Sequence, residues 1–265
     1  MDKLNKPLKD LDRKYIRQNI KAVTFDIDGV VAPTGTYLRE NVSATELLIK
    51  THKLSPKMVK LIQRLKKYLW INFSSGRALL YLQNMLADVL WQKVCLTAEN
   101  GNFMLIDGKI HQNFSYSEKY FQKLTNIRQD LKKLKARYPS QVFGFEPKHL
   151  IITVHTKKKM PEVEKIVKRH DKQNELYCLW TSEGYDIGHK KANKAKGLEI
   201  LAKKLKIKPS QMITTGNNLN DQEMLNYGIG VSVNPKVVKA QYAIASKKGV
   251  LGGEVLADYL LKAFN

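Results

Sequence analysis

The sequence predicts an α/β fold, a doubly wound and largely parallel sheet interrupted by an inserted α+β domain. Three observations carry this. Short β-branched or aromatic runs alternate with amphipathic stretches over residues 21–101. The alternation stops over 102–187, where strand-like runs outnumber helices, and returns over 188–265. Each polar motif of the alternating part falls just after an expected strand, where open α/β sheets hold their ligands.

Residues 1–20 read as a polar arm with a weak helical pattern. Lys21–Phe25 reads as a buried strand and ends at Asp26-Ile27-Asp28-Gly29. Residues 33–55 form a long polar connection with Pro33, Gly35 and an expected short helix near Ala44–Lys50. Ser55-Pro56 then opens a helix, with serine as N-cap, proline in the first turn and Met58, Val59, Ile62 and Leu65 on its apolar side. The next strand, Tyr68–Phe73, leads into Ser75-Gly76-Arg77, and one near Val94–Leu96 leads into Glu99-Asn100-Gly101.

The expected inserted domain begins with a hairpin about Asp107-Gly108 and a long basic helix over Ser117–Arg137. Strands near Val142–Glu146 and His149–His155, a helix over Pro161–Arg169, and strands near Leu176–Trp180 and Tyr185–Ile187 complete it. The core resumes with a helix over Lys194–Lys206, a strand at Met212–Thr215, a helix over Asp221–Tyr227 and a strand at Gly230–Val233. Helices are expected over Val237–Ala240 and Gly253–Ala263.

A hydrophobic share of 43% excludes a disordered chain, and no apolar run is long enough to span a bilayer. The first residues lack the apolar stretch of a secretory signal, and Cys95 and Cys178 sit in no paired motif. Reduced cysteines and a cytoplasmic location are expected. The formal charge of +22 attracts anions. The lysines are dispersed, and the clusters at 132–135 and 157–159 lack the repeated aromatics that stack bases. The charge therefore reads first as lysines spread over solvated helix faces; phosphorylated metabolites, nucleic acid and acidic surfaces are the anions it would attract, and nucleic acid is not favoured.

Together the strand-end motifs supply two carboxylates (Asp26, Asp28), a hydroxyl before a glycine (Ser75, Gly76), lysines before a helix (Lys194, Lys196) and an amide-rich turn, Gly216-Asn217-Asn218-Leu219-Asn220-Asp221. Phosphoryl transfer needs these residue types: a nucleophile, a proton donor, hydroxyl and amide donors, and a cation.

Phe25-Asp26-Ile27-Asp28-Gly29-Val30, Ser75-Gly76-Arg77, Lys194 and Gly216-Asn217 through Asp221 resemble the four ordered motifs of the haloacid dehalogenase (HAD) superfamily. The insert between the second and third motifs resembles its C2-type cap, so the chain is similar to the Cof-type (IIB) phosphatases. The resemblance implies a Rossmann-like core and a Mg²⁺-dependent phosphomonoesterase. Asp26 would be the nucleophile that becomes an aspartyl-phosphate, and Asp28 the acid and base. Ser75, Gly76, Lys194 and Asn220 would hold the phosphoryl group, and Asp26, Asp28, Asn217 and Asp221 would hold Mg²⁺. Lys194 is chosen over Lys196 because Leu198, Leu201, Leu205 and Ile207 then fall where the family's apolar positions fall.

The segment Glu146-Pro147-Lys148 to His155 resembles the caps of trehalose-phosphate phosphatases and their phosphomannomutase-like relatives. It implies Glu146, Lys148 and His155 as contacts to a sugar phosphate, with Ser182 and Glu183 as weaker candidates. Two departures stand out. Asn217 replaces a usual Asp, which lowers the charge offered to the metal. The 33–55 connection is long enough to form a flap carrying Arg39 or His52. A phosphomutase, or an anion-binding protein with a weakened metal site, is the alternative reading. Trp70, Trp91 and Trp180 are expected in packing, Cys95 buried, and His111, His149, His170 and His189 lack metal-ligand spacing.

Overall fold

The structure, a computed structural model, describes residues 4–41, 43, 45–181, 183–245 and 249–265. Its strands are β1 (Lys6–Pro7), β2 (Ala22–Phe25), β3 (Tyr37–Glu40), β4 (Leu47–Lys50), β5 (Trp70–Ser74), β6 (Val94–Ala98), β7 (Phe103–Ile106), β8 (Lys109–Gln112), β9 (Val142–Phe145), β10 (Ile152–Thr156), β11 (Leu176–Trp180), β12 (Gly184–His189), β13 (Met212–Gly216), β14 (Ile229–Ser232) and β15 (Tyr242–Ala243). Its α-helices are α1 (Arg13–Asn19), α2 (Pro56–Leu65), α3 (Leu79–Met85), α4 (Glu118–Arg137), α5 (Pro161–His170), α6 (Lys194–Leu205), α7 (Gln222–Tyr227) and α8 (Gly252–Phe264).

The chain divides into two compact units: 1–34 with 52–113 and 193–265, and 35–51 with 114–192. The first unit holds a sheet in the order β1-β15-β14-β13-β2-β5-β6-β7-β8, parallel as far as β6. Both faces are covered, as a parallel sheet requires. Val23, Phe25, Ile71, Phe73, Ile213 and Val231 face the core shared with α1, α2, α3 and α8. The alternate residues Ala22, Cys95 and Met212 face Leu198, Leu201 and Met224 of α6 and α7. Strand periodicity thus sets which helices cover which face. On the second face a polar ladder crosses the sheet: Asn72 Nδ2 donates to Thr24 Oγ1 at 3.3 Å and Thr97 Oγ1 donates to Asn72 Oδ1 at 2.9 Å.

Several sequence expectations are corrected. The hairpin β7–β8 continues the core sheet in antiparallel fashion, so the inserted unit begins after residue 113 rather than at 102. The boundary set at 187/188 likewise moves, to 192/193. The described part of the polar arm is structural: β1 pairs with β15, and Leu8, Leu11, Ile16 and Ile20 are buried. Its polar residues mask a four-residue apolar stripe. The helix expected near Ala44–Lys50 is instead β4, paired with β3, and Ala44 lies outside the described residues. Val237–Ala240 is not helical: Val237 ends a turn and 238–240 are irregular, although Val238 and Ala240 are buried. Trp91 is half exposed, not packed.

The second unit is a four-stranded antiparallel sheet, β11-β12-β10-β9, with α4 and α5 on one face. Leu124, Ile127 and Leu131 of α4 meet Ile152, Val154, Tyr185 and Ile187 of the sheet. The β3–β4 hairpin belongs here: Lys135 Nζ bonds Glu40 Oε2 at 2.5 Å, and a Cβ at Gly144 would fall 2.6 Å from that of Glu40. With φ +148 and no room for a side chain, Gly144 lets the hairpin seat against β9.

The turn from α5 to β11 is fixed by the buried Asp171. It accepts from Lys123 Nζ at 2.8 Å, from the Leu176 amide at 2.8 Å and from the Glu175 amide at 3.1 Å. Burial alone would raise its pKa, but Lys123 and the two amides outweigh burial and hold it below the usual 3.8. Asp171→Ala strands these donors, and we expect a loss of about 2–3 kcal/mol in thermal or urea unfolding. Because the folded-state pKa is depressed, the contribution is complete above the ordinary carboxylate value and fades as pH falls through the lower folded value. The gap in Tm between wild type and variant should therefore narrow below about pH 4. A gap independent of pH would show that the carboxylate's charge is not what holds the turn.

Candidate active site

Parallel pairing sets Phe25 of β2 beside Thr215 of β13 and Phe73 of β5. The residues that follow, Asp26, Gly216-Asn217 and Ser74-Ser75, therefore emerge together from neighbouring strand ends. Asp26 is held by its amide, which donates to the Thr215 carbonyl at 3.0 Å, and its side chain is buried.

Lys194 joins the site from the first turn of α6. The Asn193 N-cap accepts from the Lys196 amide at 2.8 Å. Gly101, at φ +92, lies so close that a Cβ there would sit 2.4 Å from the Asn193 carbonyl oxygen. This approach seats the helix start against the Glu99-Asn100-Gly101 turn. The Lys194 ammonium then donates to Asp26 Oδ1 and Asp221 Oδ1, each at 2.6 Å. Lys196 instead is exposed and pairs with Glu199 at 3.1 Å, so the geometry selects Lys194 of the two lysines.

One ammonium thus serves two carboxylates. Burial, and after it the Asp221 carboxylate, push Asp26 up to about 7, although Lys194 pulls the other way. Burial opposes the Lys194 charge, but Asp221 and Asp26 outweigh it and hold the lysine above its ordinary value. Asp221 is fully buried, and its second oxygen accepts from the Asn217 amide at 2.9 Å and the Asn218 amide at 3.1 Å. Both of its oxygens are used in shaping the turn and holding Lys194.

Asp28 faces Arg77, which donates through Nε to Oδ2 at 3.0 Å and through Nη2 to Oδ1 at 2.6 Å. The guanidinium is backed by the Tyr81 ring at 4.8 Å. The Asp28 backbone carbonyl accepts from Asn217 Nδ2 at 2.8 Å. Gly29, at φ +77, makes room for that amide, because a Cβ there would lie 2.3 Å from it. Ser75 is buried beside this group, and its Oγ accepts from the Arg77 amide at 3.3 Å. Gly76 lies in the bend between them, and Asn220 is half-buried in the turn before α7.

In the inserted unit, Glu146, Lys148 and His155 come together on the sheet face opposite α4 and α5. Glu146 Oε1 lies 2.7 Å from His155 Nε2, and Lys148 Nζ lies 3.1 Å from Glu146 Oε2. Lys148 also donates to Thr153 Oγ1 at 2.5 Å and lies 3.6 Å from Asp186, which Thr153 bonds in turn. Sequence reasoning missed Thr153, Asp186 and the role of Arg77. Arg77 stands inside the second motif, and Asp186 alternates with the apolar Tyr185 and Ile187, so both signals were present. Arg39 and His52 are exposed, Glu183 accepts from the Thr36 amide at 3.1 Å, and Ser182 lies outside the described residues.

Among the described residues no helix is long and apolar enough to cross a membrane. None of the curated proteins matches the sequence. The family described as haloacid dehalogenase-like hydrolase matches residues 140–244, which include Lys194 and the 216–221 turn. Among solved structures, the C-terminal domain of trehalose-6-phosphate phosphatase from C. albicans is similar over 98% of this chain and 99% of its own, at 19% identity and TM-score 0.71. A phosphatase of the HAD superfamily from Bacteroides thetaiotaomicron is similar over 93% and 96%, at 16% identity and TM-score 0.64. Trehalose-6-phosphate phosphatase from Aspergillus fumigatus is similar over 96% and 100%, at 15% identity and TM-score 0.59. The family match is thus confined to residues 140–244, while the fold is shared with these structures along nearly the whole length of the chain.

Proposed function

We propose that the protein is a phosphomonoesterase that uses Asp26 as nucleophile on a small phosphorylated metabolite, with a sugar phosphate as the substrate class. The observation that carries this reading is the buried Asp26–Lys194–Asp221 chain at the strand ends, with both contacts at 2.6 Å. Lys194 balances charge on a bound phosphoryl group, and Asp221 keeps the lysine aimed. Asp26 attacks phosphorus through its carboxylate, and the ester oxygen leaves with a proton from Asp28. Water, deprotonated by Asp28, then cleaves the aspartyl-phosphate and regenerates Asp26. For either proton step Asp28 must give up one of its two bonds to Arg77. Ser75, Gly76 and Asn220 are assigned to the phosphoryl oxygens.

The fold family implies Mg²⁺. The oxygens of Asp26, the Asp28 carbonyl and the Asn217 side chain are hard donors of the kind that ion takes. They fit it once the Asn217 amide turns its oxygen inward. The ion would supply charge neutralisation at the phosphoryl group. Among the described residues no cluster of three or more His, Cys, Asp or Glu side chains could hold a metal. The set we assign to the ion is accordingly one carboxylate and two neutral oxygens, with Asp221 kept for Lys194 and the turn.

Phosphate release from p-nitrophenyl phosphate and a panel of sugar phosphates, with and without Mg²⁺, tests the proposal; release from none of them would end it. The Glu146–Lys148–His155 cluster supports the sugar assignment, since paired donors and acceptors suit hydroxyls. Lys148→Ala should then cut kcat/KM for the best sugar phosphate by about 10²-fold while changing p-nitrophenyl phosphate turnover less than about threefold. Equal losses on both substrates would remove the cluster from substrate recognition.

A further inference from the structure

We propose that the Asn217 carboxamide replaces a divalent cation in the metal-free protein, so that the core is complete without metal and Mg²⁺ binds it only weakly. Asn217 Nδ2 donates to the Asp28 carbonyl at 2.8 Å. A carbonyl only accepts, so the –NH₂ side of the amide faces it, and the amide oxygen is turned away from the position where the ion would need it. A cation entering the site must first break this bond and rotate the amide.

Charge agrees with this. The site holds three carboxylates, Asp26, Asp28 and Asp221, and two cations, Lys194 and Arg77, so the balance is −1 (2 − 3). Each carboxylate already has a cation at 2.6 Å. An aspartate at 217 would add a fourth carboxylate directed at the Asp28 carbonyl oxygen. Two acceptors would then face each other in a partly buried site, and only a cation or a proton would relieve them. The asparagine removes both the repulsion and the demand for an ion. Gly29 is the residue that permits this, because any Cβ at that position would displace the amide.

The inference rests on the phosphohydrolase reading only for the choice of Mg²⁺. Its test reads stability and binding rather than turnover, so the two can fail separately. The full chain and Asn217→Asp would be melted in EDTA and in about 10 mM MgCl₂, and titrated with MgCl₂ by calorimetry. Wild type should shift in Tm by less than about 1–2 °C. Asn217→Asp should melt several degrees below wild type in EDTA, gain about 5–10 °C with Mg²⁺, and bind the ion at least about tenfold more tightly. A wild-type shift as large as that expected for the variant, or a variant as stable as wild type in EDTA, would overturn the proposal. If Asn217→Asp does not fold, Asn217→Ala decides. It removes the donor, so it should melt below wild type in EDTA, and a Tm equal to wild type would reject the role given to the amide.

Discussion

Lys194→Met is expected to destabilise the protein by about 3–5 kcal/mol and to lower turnover by about 10³-fold. The lysine side chain is 2% exposed and holds one oxygen each of Asp26 and Asp221. Without it two buried carboxylates face each other with no cation between them, and breaking a buried pair in this way leaves charge uncompensated. Asp26 is already pushed up to about 7 with the lysine in place. Its pKa should rise further without Lys194. A carboxyl whose folded-state pKa is raised weakens folding as pH climbs above its unfolded value of 3.8, so the deficit should be largest at neutral pH and shrink toward pH 4. Thermal melts at several pH values measure this. An unchanged Tm at pH 7 would mean that the two carboxylates share a proton and that the lysine is not their counter-ion.

Asp26→Asn is expected to abolish phosphate release, by at least about 10⁴-fold, because the carboxamide is not a competent nucleophile. Stability should move the other way. Burial and Asp221 raise the Asp26 pKa, so ionising it opposes folding as pH rises from about 4 to 7. The asparagine carries no such term, and Asp221 still satisfies Lys194. The variant should therefore match or exceed the wild-type Tm at pH 7, with the difference growing between pH 4 and 7. Loss of activity together with loss of folding would show that Asp26 is needed for the structure and would leave its chemical role undecided. Residual turnover near wild type would dismiss it as nucleophile.

How far the sequence could be read differed between the units. In the core, short β-branched and aromatic runs and the Ser55-Pro56 helix start marked the central strands and the helix after them to within a few residues. The motifs at the strand ends marked Asp26, Lys194 and Asp221, because parallel sheets bring strand ends together whatever their distance in sequence. The β7–β8 hairpin could not be allotted to either unit, since a hairpin's local signal does not say which sheet edge it extends. The polar arm hid Leu8, Leu11, Ile16 and Ile20 because an apolar residue every three to five positions is a weak pattern until a partner helix is present.

By itself, then, the sequence determined the alternating core and the inventory of reactive groups. These follow from local periodicity and from residue type. The bounds of the second unit, including its 35–51 segment, came only from the structure. The tertiary structure alone decided which groups touch: that Lys194 rather than Lys196 reaches Asp26, that Arg77 holds Asp28, and that the Asn217 amide faces the Asp28 carbonyl. Those contacts depend on the close approach of backbones at Gly101 and Gly29 and on the register of three strands. Contacts of 2.6 to 2.8 Å between residues up to 189 positions apart are set by packing, which no local pattern encodes.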